Sequence, residues 1–229
     1  MRGAQLPLAV QLRDTASFDS YFPGPNTEAV AALEELREPI LLYGAAGSGR
    51  THLLQAACRR HGGAYLSLAD GLSLGPELLA GYENVSALLL DDIDLATPQR
   101  DWCLALLRLL DRLRSDGRAF ALAATAPPER LEIALPDLRT RLSQCAVFGL
   151  RPLDDMQRAE LLRLRARARG LELPDELLRW LLSTRTRDTS SLLDALEVLD
   201  RGALSAKRRL SLPLAQALLA AADARKAPG

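Results

Sequence analysis

A chain of 229 residues, 48% apolar and 25% charged, can bury a substantial core and is sized for one ordinary domain or a domain with a small lid. Its 29 basic and 29 acidic residues cancel, which gives no electrostatic case for a dedicated nucleic-acid surface, although an even total leaves room for a local basic patch. No apolar run is long enough to cross a membrane, and the opening MRGAQLPLAVQLRD lacks the apolar run and small-residue cleavage pattern of a signal peptide, so a cytoplasmic location with no membrane partner is expected.

Residues 1–16 precede any strong periodicity and contain Gln5-Leu6-Pro7-Leu8, where Pro7 disfavours helix; the stretch reads as a tail. Phe18 to Asn26 is aromatic and turn-rich, and Asn26 is placed to cap a helix running through Ala29 to Leu36. Short apolar runs then alternate with helical patterns. Pro39 to Tyr43, Ala64 to Leu68, Ala87 to Leu90, Phe120 to Thr125 and Ala146 to Leu150 predict strands, with helical spacing over Thr51 to Arg60 and Pro98 to Arg114. The alternation predicts an α/β fold, a parallel five-stranded sheet with helices on both faces, over residues 17–152. Beyond it, Asp154 to Arg169, Pro174 to Ser183, Thr189 to Arg201 and Leu212 to Ala221 predict helices with no strand between them, a small helical lid over residues 153–229. Trp102 and Trp180 read as packing residues, and the run Arg158, Arg163, Arg165, Arg167, Arg169, interspersed with acids, as a solvated helix face. Cys58, Cys103 and Cys145 show no metal-ligand spacing and read as buried or free thiols. The only lysines are Lys207 and Lys226.

Gly44-Ala45-Ala46-Gly47-Ser48-Gly49-Arg50-Thr51 follows a predicted strand and opens a predicted helix, the setting in which a glycine pattern becomes a phosphate loop. Glycines let the backbone wrap an anion with its N–H groups pointing inward, and the helix N-terminus adds a favourable field. One position departs from the pattern, because Arg50 stands where lysine is usual. Arginine keeps the charge but is planar and bulkier, so nucleotide binding is expected to survive while catalysis suffers. Thr51 is the expected Mg²⁺-side hydroxyl. Leu88-Leu89-Leu90-Asp91-Asp92 supplies the other half: Asp91 is placed to hold the metal and Asp92 to polarise water. Taken alone, such a strand end would also suit capping the next loop.

The phosphate loop, the acidic strand end and the helical lid together resemble the AAA+ fold, and closer matching points to its DnaA-related branch, in particular the Hda family of DnaA regulatory inactivators, from about Ala4 to the last helix. Several expectations follow from the resemblance alone. Gln5, Leu6 and Leu8 are similar to the motif by which that family binds the β subunit of the DNA polymerase III sliding clamp loaded on DNA, with Leu6 and Leu8 entering an apolar pocket. Leu135 to Leu142 is similar to the segment carrying the family's arginine finger, with Arg141 at the finger position and Arg139 as a competitor. Thr125 and Ser190 fall where DnaA has an acidic sensor residue and a lid arginine. Arg187 lies one turn from Ser190, with reach to the phosphates or a plain helix-start role.

Three positions that serve a protein's own turnover (Arg50, Thr125, Ser190) are thus altered while the one acting on a neighbour is kept. The resemblance therefore implies a negative regulator of replication initiation that stimulates hydrolysis of DnaA-bound ATP and has a weak ATPase of its own. The implied ligand is ADP in preference to ATP, with Mg²⁺. No C-terminal DNA-binding domain and no direct sequence-specific DNA binding are expected, and homo-oligomer formation is left open. The alternatives are an AAA+ helicase loader and a DnaA-recruiting adaptor that does not stimulate hydrolysis.

Overall fold

The computed structural model describes residues 16–184, 189–206 and 210–226. They form two compact units, one ending at Arg151 and the other beginning at Pro152.

The apolar runs of the first unit become β1 (Ile40–Tyr43), β2 (Ala64–Ser67), β3 (Ala87–Asp91), β4 (Ala119–Ala124) and β5 (Ala146–Gly149). All pair in parallel, in the order β2-β3-β4-β1-β5. Because successive side chains point to opposite faces, each strand feeds two cores. Leu41, Leu88, Leu90, Phe120 and Leu122 meet Trp102, Leu106, Leu110 and Leu113 of α4 (Arg100–Ser115). Ile40, Leu42, Leu89, Ala121 and Ala123 meet Leu33 of α1 (Thr27–Glu35) and Leu53, Leu54 and Ala57 of α2 (Arg50–His61) on the other face. A sheet buried on both faces needs near-continuous apolar strands, and β3 is buried at every residue. The predicted parallel sheet with helices on both faces is therefore found. Two short helices, α3 (Leu68–Gly71) and α5 (Pro136–Ser143), complete the unit.

One local expectation fails. Asn26 sits just before α1, yet its side chain makes no capping hydrogen bond. The turn Gly24–Asn26 runs straight into the helix, so the Asn26 backbone (φ −107°, ψ 19°) is outside the extended region that capping geometry uses. The buried amide instead accepts from the Arg151 N–H (2.8 Å) and donates to the Arg151 carbonyl (3.0 Å) and the Tyr21 hydroxyl (3.3 Å), tying the two ends of the unit together.

In the second unit, α6 (Asp155–Ala168) is opened by a capping box: the Asp154 carboxylate accepts from the Gln157 N–H at 2.8 Å and the Gln157 side chain accepts from the Asp154 N–H at 3.0 Å. With α7 (Asp175–Thr184), α8 (Thr189–Ala206) and α9 (Leu212–Lys226) it encloses a leucine core that includes Leu162, Leu178, Leu181, Leu196 and Leu219. Trp102 and Trp180 both pack, as expected. Arg158 does not belong to a solvated face: it is buried and ion-paired with Asp155. Arg163, Arg167 and Arg169 are exposed, as expected, with Arg163 paired to Asp175 at 2.8 Å and Arg169 to Asp200 at 3.6 Å. All three cysteines are buried and free. No helix among the described residues is long and apolar enough to cross a membrane.

Candidate functional site

The loop between β1 and α2 is shaped by its glycines. Gly47 and Gly49 have φ of 77° and 99°, values that L side chains rarely adopt. A Cβ on Gly44 would sit 2.7 Å from Ser48 Oγ, and one on Gly49 would sit 2.7 Å from Cε2 of Tyr21, whose ring covers the loop. The Tyr21 hydroxyl donates to the Ser48 carbonyl at 3.4 Å, and His52 on the first turn of α2 lies beside the Tyr21 ring and the Ser17 carbonyl. The aromatic stretch before α1 is thus a wall of the loop, which the sequence alone did not indicate.

Two polar atoms in this loop are buried with no hydrogen-bond partner, Ser48 Oγ and Arg50 Nη1. Unsatisfied buried polar atoms are rare and costly, about 1–3 kcal/mol each, and those at a glycine-shaped helix N-terminus point to an anionic ligand. The residues present therefore fit a phosphate chain. Arg50 is itself buried, and its Nη2 lies 3.9 Å from Asp92 Oδ1, so its charge is set against the acid at the end of β3. The Thr51 hydroxyl donates to Asp91 Oδ2 at 2.6 Å, bringing together the pair of oxygens that Mg²⁺ takes when it accompanies a nucleotide.

Asp91 is buried and ringed by donors from its own chain: Thr51 Oγ1, the Tyr65 hydroxyl at 3.0 Å and the Asp92 N–H at 3.0 Å. Burial first, and then the Asp91 charge, push the Tyr65 phenol up, so it stays a donor at any physiological pH. Asp92 has a left-handed backbone, φ 56°, uncommon for a residue other than glycine and a form of strain that concentrates at functional sites. Burial and the neighbouring Asp91 raise its carboxyl above the ordinary range, with Arg50 opposing.

Thr125, immediately after β4, gives both its N–H (3.2 Å) and its hydroxyl (2.8 Å) to Asp94. Asp94 and Tyr65 are site residues that the sequence reading missed. The third carboxylate of Asp91-Asp92-Ile93-Asp94 was a signal for the first; nothing local marks the second, which reaches Asp91 only through the β2–β3 pairing.

The two candidate finger arginines have different surroundings. Arg139 donates to the carbonyls of Pro128 and Leu131 and so ties that loop to α5. Arg141, at the end of α5, is part-exposed and ion-paired through Nε with Asp111 Oδ1 at 2.6 Å, while Nη1 donates to Gln144 Oε1 at 2.9 Å. Gln5, Leu6, Leu8 and Arg187 lie outside the described residues, as does the Ser190 side chain.

Comparison with known proteins follows the same division. Residues 155–219 match the family described as Hda, lid domain. Domain III of the replication initiation protein DnaA from Thermotoga maritima superposes with a TM-score of 0.75 at 23% identity, over 92% of this chain and 98% of that one. AMPPCP-bound DnaA from Aquifex aeolicus gives a TM-score of 0.67 at 22% identity, over 82% of this chain and 66% of that one. A RuvB variant from Thermotoga maritima gives 0.67 at 16% identity, over 90% and 72%. The parallel sheet and its glycine-shaped loop thus share the AAA+ fold of these proteins, and residues 155–219 are similar to the lid domain of Hda.

Proposed function

We propose that this protein is a DnaA-related regulator of replication initiation that binds nucleotide for structural purposes and acts on the nucleotide of a neighbour. The observation that carries the proposal is the contrast between two arginines. Arg50, in the phosphate loop, is buried against Asp92, the acid that would otherwise polarise water. Arg141, on an edge of the same unit, is part-exposed with its guanidinium beside the surface.

In this reading Gly44, Ala45, Gly47, Ser48, Gly49 and Arg50 bind the phosphates of ADP, preferred over ATP, and Thr51 and Asp91 hold Mg²⁺. Bound nucleotide supplies the anionic charge that the loop is built to receive. Arg50 neutralises part of that charge but, drawn towards Asp92, leaves little carboxylate free to take a proton, so intrinsic turnover is low. Thr125, held by Asp94, borders the same ligand. Gln5, Leu6 and Leu8 tether the protein, in the cytoplasm, to the sliding clamp on DNA. Arg141 then enters the site of ATP-bound DnaA and stabilises charge developing on the γ-phosphate.

The test is hydrolysis of ATP pre-bound to the cognate DnaA, in the presence of clamp-loaded DNA. The intact protein is expected to accelerate hydrolysis; Gln5→Ala abolishes the clamp-dependent acceleration, and Arg141→Ala lowers the rate by roughly 10³-fold or more while leaving DnaA binding in place. Absence of acceleration by the intact protein defeats the proposal and favours a loader, if the isolated chain turns over ATP, or a recruiting adaptor, if it does not.

A further inference from the structure

Arg141 does not stand alone on its edge. Asp111 and Arg114 lie one turn apart on α4, and Gln144 is the residue that caps the end of α5, so packing of Leu110 and Leu113 against Leu138 and Leu142 brings four polar side chains from two helices to one spot. The contacts form a closed set. Asp111 Oδ1 faces Arg141 Nε at 2.6 Å. Gln144 Oε1 accepts from Arg141 Nη1 at 2.9 Å and from Arg114 Nη1 at 2.8 Å, and Arg114 Nη2 reaches the Gln144 main-chain carbonyl at 3.5 Å.

We infer that Asp111, Gln144 and Arg114 are positioning residues that fix one side of the Arg141 guanidinium on its own chain and leave Nη2 to meet an anion on a neighbouring molecule. The inference rests on the reading of Arg141 given above. Three physical points support it. First, the Gln144 amide has only one tolerable orientation: an oxygen between two guanidiniums is doubly satisfied, whereas an NH₂ group there would face two cations. Second, the pair is too exposed to be explained by stability. Asp111 and Arg141 side chains are 45% and 32% accessible, and ion pairs of that kind contribute little to folding, so what the contacts provide is geometry. Third, two arginines and one aspartate leave the cluster with a net positive charge, which suits an incoming phosphate and not a basic partner. Among the described hydrogen bonds and ion pairs, none uses Arg141 Nη2.

A long arginine side chain loses considerable rotamer freedom when it enters a transition state. One that is already held loses less, and the benefit appears in the rate and not in the encounter. Single-turnover hydrolysis of DnaA-bound ATP, titrated with the full chain in the presence of clamp-loaded DNA, separates the two. Asp111→Asn and Gln144→Ala are expected to lower the saturating rate about tenfold with the half-saturating concentration unchanged, and Gln144→Glu, whose carboxylate still accepts from both arginines, is expected to recover most of it. ADP binding and melting temperature report whether each variant is folded; Asp111, on the surface, decides the matter should Gln144→Ala not fold.

Unchanged saturating rates alongside a dead Arg141→Ala overturn the positioning role and leave the role of Arg141 intact. A rate that rises in Asp111→Asn overturns it in the opposite direction, making the ion pair a latch. Full activity in Arg141→Ala removes the reading of Arg141, and with it anything there is to position.

Discussion

The phosphate loop and the α4–α5 edge use the same ingredients, an arginine and an aspartate, to opposite ends. At the loop, Arg50 is buried opposite Asp92 at 3.9 Å, and Asp91 accepts from Thr51, Tyr65 and a main-chain N–H. At the edge, Arg141 and Asp111 are both part-exposed, and a neutral glutamine shares the work of orientation. Burial makes the first arrangement sensitive to every change of charge or volume; exposure makes the second cheap to alter in stability and costly only in function. An arginine's role is thus set by what surrounds its guanidinium and not by the presence of an acidic partner.

The buried loop is most easily disrupted at Gly49. Alanine there adds a side chain at φ 99° and places its Cβ 2.7 Å from a Tyr21 ring that is tethered through its hydroxyl. A loss of ~2–4 kcal/mol in stability is expected, with loss of nucleotide binding, measured by thermal melting and fluorescent-ADP titration. Adding Tyr21→Ala should recover the steric part and leave the backbone part, because only the clash involves the ring. Full ADP affinity in Gly49→Ala would mean that the loop does not bind phosphate in this conformation.

A smaller effect is expected from Arg50→Lys, which sharpens the contrast by making the buried region more conventional. The shorter ammonium is a point charge that releases Asp92, and intrinsic ATP turnover of the isolated chain should rise by about tenfold with stimulation through Arg141 unchanged. If steady-state phosphate release does not rise, the restriction on turnover lies at Thr125 and its Asp94 clamp instead.

The smallest change is Asp92→Asn. Because the folded carboxyl is raised above its unfolded value, the stability associated with its protonated form is fully present below the unfolded pKa and is lost as pH rises through the folded one. The neutral amide escapes that loss. Its melting temperature should exceed the parent's at neutral pH, and the gap should close in acid. A gap that widens in acid would reverse the assigned shift.

Much of this was legible in the sequence. Strand runs such as Ala87 to Leu90 are apolar at every position because both faces are covered, and the phosphate loop announces itself through glycines whose backbone angles no other residue adopts readily. What escaped depends on contacts far apart along the chain. Asn26 looked like a helix cap because capping residues are recognised by their neighbours, whereas its partner is Arg151. Tyr65 meets Asp91 only because β2 lies beside β3, and Asp111, Arg114 and Gln144 come to Arg141 only because α4 packs on α5. Arg139 and Arg141, two residues apart, differ in surroundings that no local pattern shows, Arg139 reaching the carbonyls of Pro128 and Leu131.

The strand order also has a consequence in time. During synthesis β1 emerges first, yet its two neighbours in the sheet are β4 and β5, which begin at Ala119 and Ala146. Until then the run Ile40–Tyr43 has no neighbour to bond with, and early pairing is confined to β2 with β3 and then β4. Non-local parallel pairing of this kind is slow and leaves an apolar strand exposed to other chains meanwhile. The vulnerable interval ends as β4 and then β5 become available to pair with β1 on either side.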